Sequence, residues 1–136
     1  MALKEQVGNV YSAGIGNVGS YQVSGIPWIT GSAALAGDTE HTVSFPYVAR
    51  SVSVINHSSE AIRIHFNPVA SGNVVSGLHF VELDSDEDSY TFNVKCKEIY
   101  VSAPAGGSNR EYRVIAELTN IPTQRMYSLT GSGLTD

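Results

Sequence analysis

The stretch SVSVINHSSEAIRIHF, residues 51–66, sets the expectation for the fold. It holds two runs in which apolar and polar residues alternate, separated by the polar residues 57–60. Successive side chains of a strand point to opposite sides of a sheet, so such runs predict two β-strands joined by a polar turn. In the second run the two faces consist of Ile62, Ile64 and Phe66 on one side, with Arg63 and His65 on the other.

The same alternation recurs along most of the chain. In EYRVIAELTNIP, residues 111–122, the alternation favours a strand over a helix. The expected core face of this segment consists of Tyr112, Val114, Ala116 and Leu118. About eight or nine short segments of this kind follow one another, with turn signals roughly every 8 to 14 residues. The pattern predicts an all-β fold: an antiparallel β-sandwich with jelly-roll-like wiring.

Pro27 marks an irregular position in the segment SYQVSGIPWITG. A proline has no backbone N–H to donate to a strand ladder, so it favours an edge strand or a β-bulge. Before this segment, residues 1–18 are rich in glycine and small polar residues, a composition unsuited to a helix or a packed core. We therefore expect two parts, an extended N-terminal arm over residues 1–18 and a β-sandwich domain over residues 19–136.

The apolar residues of the expected arm are Tyr11, Ile15 and Val18. Two interpretations of the arm stay open at this point. It is either a disordered tail, or an extended segment that becomes ordered only when it lies on a neighbouring subunit and buries these three side chains.

Charged residues are scarce in this chain. They make up 15% of its 136 residues, against roughly 25% in ordinary soluble domains, while hydrophobic residues make up 42%. Such a surface is either covered by copies of the chain or by a partner, or kept hydrated by Ser, Thr and Asn, and the first interpretation is favoured. The net charge is −5 and the eight basic residues form no run, so we expect no binding to nucleic acid or to membranes.

Cys96 is the only cysteine, which excludes an intrachain disulfide and a four-cysteine zinc site. Its place in the strand-like run TFNVKCKEIYV favours a buried apolar role over that of a catalytic thiol. The first twenty residues lack the apolar segment of a signal peptide, and no apolar run reaches the length of a membrane span. The expected location after synthesis is therefore the cytoplasm.

The most charged stretch is ELDSDEDS, residues 82–89, with five carboxylates in eight positions. Its alternating aspartates, Asp84, Asp86 and Asp88, match the start of an EF-hand loop. The glycine and the closing glutamate of that loop are missing, and the flanking segments are strand-like, so the EF-hand interpretation fails. A looser calcium site at these aspartates stays a candidate. The favoured interpretation is a solvated tip of a β-hairpin, whose charges also discourage pairing with other sheets.

Few residues form a pattern with catalytic meaning. His41, His57, His65 and His79 lack the spacing of a paired metal site. GIGNVG, residues 14–19, has the glycine spacing of a dinucleotide-binding loop but lacks a preceding buried strand and a following helix. The sequence has neither a nucleophile elbow nor a Walker phosphate-binding loop. These observations argue against an enzyme.

Trp28 in GIPWITG and Tyr47 in FPYVAR are the aromatic residues that could form a sugar-stacking surface. In short strands, aromatic side chains more often belong to the core or to a contact between subunits. We therefore expect Trp28 and Tyr47 to bind a partner, with sugar stacking as the other interpretation.

Three stretches, GNVGSYQVSGIPWITG, LHFVELDSDEDSYTFNVKCKEIYVSAPAG and YRVIAELTNIPTQRMYSLTGSGLTD, together cover about half of the chain. In these stretches the chain resembles small virion structural proteins of tailed bacteriophages, especially phages of marine bacteria. The run CKEIYVSAPAG, followed by a strand that ends in AELTNIP, is similar to small phage sandwiches that decorate or cement a capsid shell.

The resemblance implies a capsid decoration or cement protein that binds the lattice of the major capsid protein, as a homo-oligomer with a trimer favoured. Its location would be the virion, assembled in the host cytoplasm, and Tyr11, Ile15 and Val18 would contact the neighbouring subunit. The alternative is a tail or receptor-binding component that recognises a host-surface glycan through Trp28 or a tyrosine. A third interpretation is a host-derived sandwich module with calcium at the acidic stretch. Apart from that ion, no cofactor is expected.

Overall fold

The computed structural model describes residues 25–71 and 74–127, and in this part of the chain the regular structure is almost entirely β-strand. Every strand pair is antiparallel, so the predicted all-β antiparallel fold is confirmed. The strands are β1 (Ile26–Leu35), β2 (Glu40–Asn56), β3 (Ile62–His65), β4 (Val81–Leu83), β5 (Ser89–Phe92), β6 (Cys96–Ser102) and β7 (Arg110–Pro122). Two 3-10 turns cover Val69–Ser71 and Thr123–Arg125.

The predicted arm, residues 1–18, lies outside the described residues together with Tyr11, Ile15 and Val18. The predicted boundary at residue 19 also precedes the first described residue. The strands from β1 to β7 contribute to one hydrophobic core.

The seven described strands form one continuous sheet, which bends into the two layers of a sandwich. Its strand order is β1-β7-β2-β6-β3-β4, and β5 pairs with β2 beside this path. β1 is an edge of the sheet, as Pro27 predicts. The jelly-roll wiring is not confirmed, since a jelly roll has eight strands in two Greek keys, whereas the described residues follow a single path.

Strand β2 takes part in both layers. Residues 40–44 pair with β6, whereas the second half of the strand pairs with β7 on one side and with β5 on the other. Between Ser44 and Ala49 the register with β6 shifts, and Pro46 lies inside the shift. An irregularity of this kind bends a strand and lets it pass from one layer of a sandwich to the other.

The core between the layers follows the alternation of the sequence. The residues that form the expected apolar faces of β3 and β7 are buried: Ile62 and Ile64, and Tyr112, Val114, Ala116 and Leu118. Val43 and Phe45, which alternate with polar residues on β2, are buried as well. Cys96 is fully buried among them, which confirms its predicted apolar role. Phe66 packs against the margin of this core.

The predicted polar turn between β2 and β3 is organised by one buried amide, that of Asn56. Its Nδ2 group donates to the carbonyl oxygens of Glu60 and Leu83, each at 2.9 Å. Its Oδ1 atom accepts hydrogen bonds from the backbone N–H and the hydroxyl of Ser58, also at 2.9 Å. All four hydrogen-bonding positions of the amide are therefore used. Asn56 ties the end of β2 to the turn before β3 and to the end of β4.

The acidic segment ELDSDEDS is not the tip of a hairpin, so that prediction is wrong. The strand before it, β4, pairs with β3, and the strand after it, β5, pairs with β2. The segment instead crosses from one strand pair to the other. It is attached to the end of β2, because Asn56 N–H donates to the Asp88 carbonyl at 2.8 Å and Glu87 N–H donates to the Asn56 carbonyl at 2.7 Å.

Replacing Asn56 by alanine should destabilise the fold, because it leaves the carbonyls of Glu60 and Leu83 without their amide donor. We expect the free energy of unfolding to fall by about 2 to 4 kcal/mol. Urea denaturation followed by circular dichroism measures the change. Asn93→Ala is the matched control, since Asn93 is exposed and its loss should have little effect. Equal losses in both variants would contradict the role of Asn56.

Candidate functional site

The three aspartates proposed for calcium do not converge. Asp88 Oδ2 accepts hydrogen bonds from the backbone N–H groups of Asp84 and Ser85, at 3.0 and 3.2 Å, so this carboxylate organises its own loop. The pKa of Glu82 is raised, because its protonated carboxyl can donate to that of Asp84, and because partial burial and the negative charge of Asp84 disfavour its ionised form. Asp88 is thus occupied by contacts within the segment.

A different group gathers beside this segment. One ligand atom each from His57, Asp86 and Glu87 lies within 4.8 Å of the others, and they are the one such trio in the described residues. Within this trio, His57 Nδ1 and Glu87 Oε2 are 3.2 Å apart. His57 was not associated with the acidic stretch in the sequence, because the two residues are 30 positions apart. His57 and Glu87 lie close together because the backbone of Asn56, at the end of β2, is hydrogen bonded to the acidic segment.

His65 lies in the core and not on a polar face, which corrects the prediction from its strand. Its side chain is 1% exposed and its ring stacks on Tyr100, with ring centroids 6.0 Å apart. Nδ1 donates to the carbonyl oxygen of Asn67 at 2.7 Å, so the Ser102 hydroxyl, 2.8 Å away, donates to Nε2. The imidazole is therefore held neutral between two hydrogen-bond partners.

Burial lowers the pKa of His65, because a charged imidazole in the core would lose its hydration. The hydrogen bond to Asn67 and the nearby charge of Glu40 oppose this change, and the charge of Arg63 adds to it. Glu40 Oε2 lies 3.8 Å from His65 Nε2, but a neutral ring makes no ion pair with it. His65 is therefore a structural residue of the core.

Cys96 has no reactive character in this environment. Burial, with a smaller contribution from the charge of Glu98, raises the pKa of its thiol to about 12. The thiolate is the nucleophilic form of cysteine, and it is scarcely populated near neutral pH when the pKa is that high.

A cleft of about 320 Å³ opens at one side of the sandwich, between β1 and the first half of β2. β1 pairs only with β7, and residues 40–44 of β2 pair only with β6 among the described strands. The two strands that border the cleft are thus not hydrogen bonded to each other. The lining comes from three strands: Trp28, Thr30 and Gly31 on β1, His41, Thr42, Val43 and Ser44 on β2, and Tyr112 on β7.

The floor of this cleft depends on a close approach between β1 and β7. A Cβ atom at Gly31 would lie 2.5 Å from the carbonyl oxygen of Tyr112, so the lining at this point is bare backbone. Tyr112 is 3% exposed, and its hydroxyl lies 2.9 Å from His41 Nδ1. The His41–Tyr112 hydrogen bond therefore joins β2 and β7 across the bottom of the cleft.

The structure separates the two aromatic residues that the sequence grouped as partner-binding. Trp28 is half-buried against the core and packs edge-to-face on Phe45, with ring centroids 5.3 Å apart. Tyr47 is 43% exposed and lies in the irregular part of β2, opposite Pro122. Trp28 lies opposite Ala116, six positions before Pro122, or roughly 20 Å along β7. They do not form one aromatic surface.

An apolar pair lies on the outer side of the sheet. Ile29 on β1 and Ile115 on β7 are directly opposite each other, and their exposed fractions are 66% and 37%. The neighbouring outer position is occupied by the ion pair of Arg50 and Glu117, with 2.7 Å between Nη2 and Oε1. This pair could not be identified from the sequence, because the register between β1 and β7 joins segments that are far apart along the chain.

Lowering the pH below 6.5 should destabilise the fold through His65. The folded-state pKa lies below the ordinary value of 6.5, so in that interval the unfolded chain binds a proton that the folded chain does not. The contribution of neutral His65 to the free energy of unfolding is fully present above pH 6.5 and is lost as the pH falls through the folded-state pKa. For one proton, the slope of the free energy of unfolding against pH is at most about 1.4 kcal/mol per pH unit. Urea denaturation at a series of pH values measures it.

His65→Gln is the matched variant, because glutamine keeps a donor and an acceptor but does not titrate. This variant retains the other three histidines, His41, His57 and His79, so the difference in slope isolates His65. A slope that is the same in the wild type and in His65→Gln would contradict the prediction.

Replacing Asp88 by alanine should loosen the acidic segment, because the N–H groups of Asp84 and Ser85 lose their acceptor. We expect a loss of about 1 kcal/mol in the free energy of unfolding. Asp86→Ala removes the same charge from an exposed side chain and should change stability by less. Thermal unfolding of the two variants side by side tests this, and a larger effect of Asp86→Ala would show that Asp88 does not organise the loop.

In the described residues the only helical pieces are two turns of three residues each, so no helix there is long enough to cross a membrane. Comparison of the chain with protein-family models, with curated proteins and with solved structures gives no match. The features of this chain that bear on its function are therefore the cleft, the outer apolar pair and the acidic segment.

Proposed function

We propose that this chain is a structural protein of a phage particle, a capsid decoration or cement protein that stabilises the head shell. The observation that supports this most is the outer side of β1 and β7, where Ile29 and Ile115 are exposed next to each other. The resemblance of the sequence to small virion proteins points in the same direction.

Within residues 25–71 and 74–127, the edge strand β1 has none of the usual protection against contact. Its ten residues, IPWITGSAAL, include no charged side chain, and Pro27 is the single residue that cannot donate to a ladder. Natural edge strands are commonly protected by lysines, by inward charges or by a covering segment. An uncharged edge strand with an exposed isoleucine suits a subunit whose outer side is covered by a neighbour in an assembly.

On this proposal, the protein stabilises the shell in two ways: it binds preferentially to one state of the lattice, and it binds in many copies. A protein that binds the expanded lattice of the major capsid protein, and not its precursor, shifts the equilibrium toward the expanded state. Each contact can be modest, because many copies on one lattice and several contacts per oligomer add their effects. The low content of charge, 15%, suits a chain that loses surface to such contacts. The proposal includes no catalytic role, and no nucleic acid or membrane partner.

The solution mass is the first test, because the proposal expects a trimer with three times the 14.5 kDa of the chain. Light scattering of the purified protein with calcium or with EDTA should give the same mass. Ile29→Lys places a charge on the outer side of β1 and should reduce the trimer. Val94→Lys is the matched control, since Val94 is 40% exposed but lies outside β1. A monomeric wild type would contradict the oligomer.

Binding to particles tests the decoration role itself. Expanded empty heads that lack this protein should be saturated by the wild type and by Val94→Lys. Ile29→Lys should bind more weakly, and deletion of residues 1–18 should abolish binding without unfolding the domain. Saturation of heads by the truncated chain would exclude the arm, with Tyr11, Ile15 and Val18, as a contact. Failure of the wild type to bind would contradict the decoration role.

A further inference from the structure

A histidine and two carboxylates meet where the acidic segment passes the end of β2. One side-chain ligand atom each from His57, Asp86 and Glu87 lies within 4.8 Å of the other two. His57 follows β2, whereas the two carboxylates belong to the segment between β4 and β5, and His57 and Glu87 are 30 positions apart. Imidazole nitrogen and carboxylate oxygen are both donors that proteins use to bind divalent transition-metal ions.

The spacing within this trio fits the coordination of one ion. His57 Nδ1 and Glu87 Oε2 are 3.2 Å apart. Two donors that lie about 2.0 to 2.2 Å from a tetrahedral Zn²⁺ are separated by about 3.3 to 3.6 Å. The observed separation is thus close to that of two atoms bound to the same ion. Asp86 is exposed, so a change of its rotamer can bring a carboxylate oxygen to the ion without disturbing the core.

The His57 ring can exchange its hydrogen bond for a bond to a metal. A carboxylate only accepts hydrogen bonds, so the ring proton is on Nδ1 when Glu87 is the partner. When Nδ1 binds an ion, this proton is on Nε2, and the neutral ring donates the lone pair of Nδ1 to the metal. The ring carries one proton in both states, and the Glu87 carboxylate turns from the proton to the ion.

The backbone holds the trio together from behind. Glu87 N–H donates to the Asn56 carbonyl at 2.7 Å, and His57 N–H donates to the Glu111 carbonyl at 2.8 Å. Asn56, directly before His57, is fully buried, and all four hydrogen-bonding positions of its amide are used. The two segments that carry the ligand atoms are therefore already fixed to each other, which lowers the entropy lost when an ion binds.

We propose that His57, Asp86 and Glu87 bind one divalent transition-metal ion, and that this ion is Zn²⁺. A tetrahedral Zn²⁺ accepts one imidazole nitrogen and two carboxylate oxygens, and its fourth position then holds water. The exposed position of Asp86 and Glu87 leaves room for that water. The ion connects the end of β2 to the acidic segment, so it stabilises the folded chain by binding to it and not to the unfolded chain.

This site differs from the calcium site considered for the sequence in both its residues and its metal. Ca²⁺ takes six to eight oxygen ligands, whereas the trio offers an imidazole nitrogen. Of the aspartates Asp84, Asp86 and Asp88, the trio includes Asp86 alone. Asp88 accepts hydrogen bonds from the backbone of its own loop and is not needed as a ligand.

The zinc site is independent of the proposed role in a phage particle. Its three residues lie outside β1 and β7, which carry the outer apolar pair. Zinc binding is measured on the isolated protein, whereas the decoration role is measured on empty heads. Failure of either proposal therefore leaves the other intact.

Zn²⁺ itself is the probe, added to the full-length protein without an affinity tag. Isothermal titration calorimetry should give saturable binding with one ion per chain, and the midpoint of thermal unfolding should rise with the Zn²⁺ concentration. The imidazole resonances of His57 should shift during the titration. Ca²⁺ should bind more weakly than Zn²⁺, because it does not favour a nitrogen ligand.

Two pairs of variants separate the trio from the charge around it. His57→Gln and Asp86→Asn each remove a ligand and should weaken Zn²⁺ binding at least about 10-fold, since losing a group that merely orients a ligand already costs about 10- to 100-fold. His79→Gln removes an exposed histidine outside the trio, and Asp84→Asn removes an exposed aspartate of the same segment. Both controls should keep the affinity of the wild type. Circular dichroism verifies that each variant is folded.

Three results would overturn the proposal. The first is the absence of saturable Zn²⁺ binding in folded wild-type protein. The second is an equal loss of affinity in each ligand variant and its control, because binding would then depend on net charge or on another histidine. The third is Ca²⁺ binding as tight as that of Zn²⁺ with no effect of His57→Gln, since carboxylates alone would then hold the ion.

Discussion

The bend of β2 is the constraint on which the rest of this architecture depends. Residues 40–44 pair with β6, and residues 51–56 pair with β7, with β5 on the other side of residues 52–55. Ala49, between these two parts, pairs with both β6 and β7. One strand thus supplies a partner to three others and passes between the two layers. Pro46 lies inside the shift, where a missing N–H is tolerated because regular pairing is already interrupted. A straight β2 would leave the layers without their common strand.

The same bend places the functional groups of the molecule. Before the bend, no described strand pairs with β2 on its β7 side, and a cleft opens there toward β1. After the bend, the strand runs to Asn56, whose buried amide and backbone hold the polar turn and the acidic segment. His41 lies near the start of β2, in a cleft lined by no Asp, Glu, Lys or Arg, whereas His57 directly follows the end of this strand and lies beside carboxylates.

Much of the fold could be predicted from local pattern. Alternation identified the buried faces of β2, β3 and β7, and Pro27 identified an edge strand, because both signals are properties of a few consecutive residues. The pairing of β4 with β3 and of β5 with β2 could not be predicted in this way. Both strands are short and close in sequence, which suggested that they form a hairpin with each other. In the structure β4 instead pairs with β3, and β5 pairs with the long strand β2.

The sites were harder to predict than the fold, because they too depend on contacts between residues that are distant in sequence. The alternation of its strand predicted His65 on a polar face. The residue is buried instead, because Ser102 and the Asn67 carbonyl satisfy both ring nitrogens with hydrogen bonds. Trp28 was identified from its residue type alone. Its companions in the cleft, His41, Thr42 and Tyr112, come from strands that are distant in sequence. Only the strand order brings them together.

The position of β7 between β1 and β2 has a consequence for how the chain folds during synthesis. β7 is the last of the described strands, yet among them it is the only one that pairs with the first, β1, with Ile26 opposite Leu118. Pairing between segments this far apart requires a long loop to close, and the chain loses that entropy before any contact forms. Such pairing therefore slows folding. On the ribosome, β1 can pair with β7 only after the segment between them has been synthesised. Among the described strands, the layer that carries the outer apolar pair is therefore completed last.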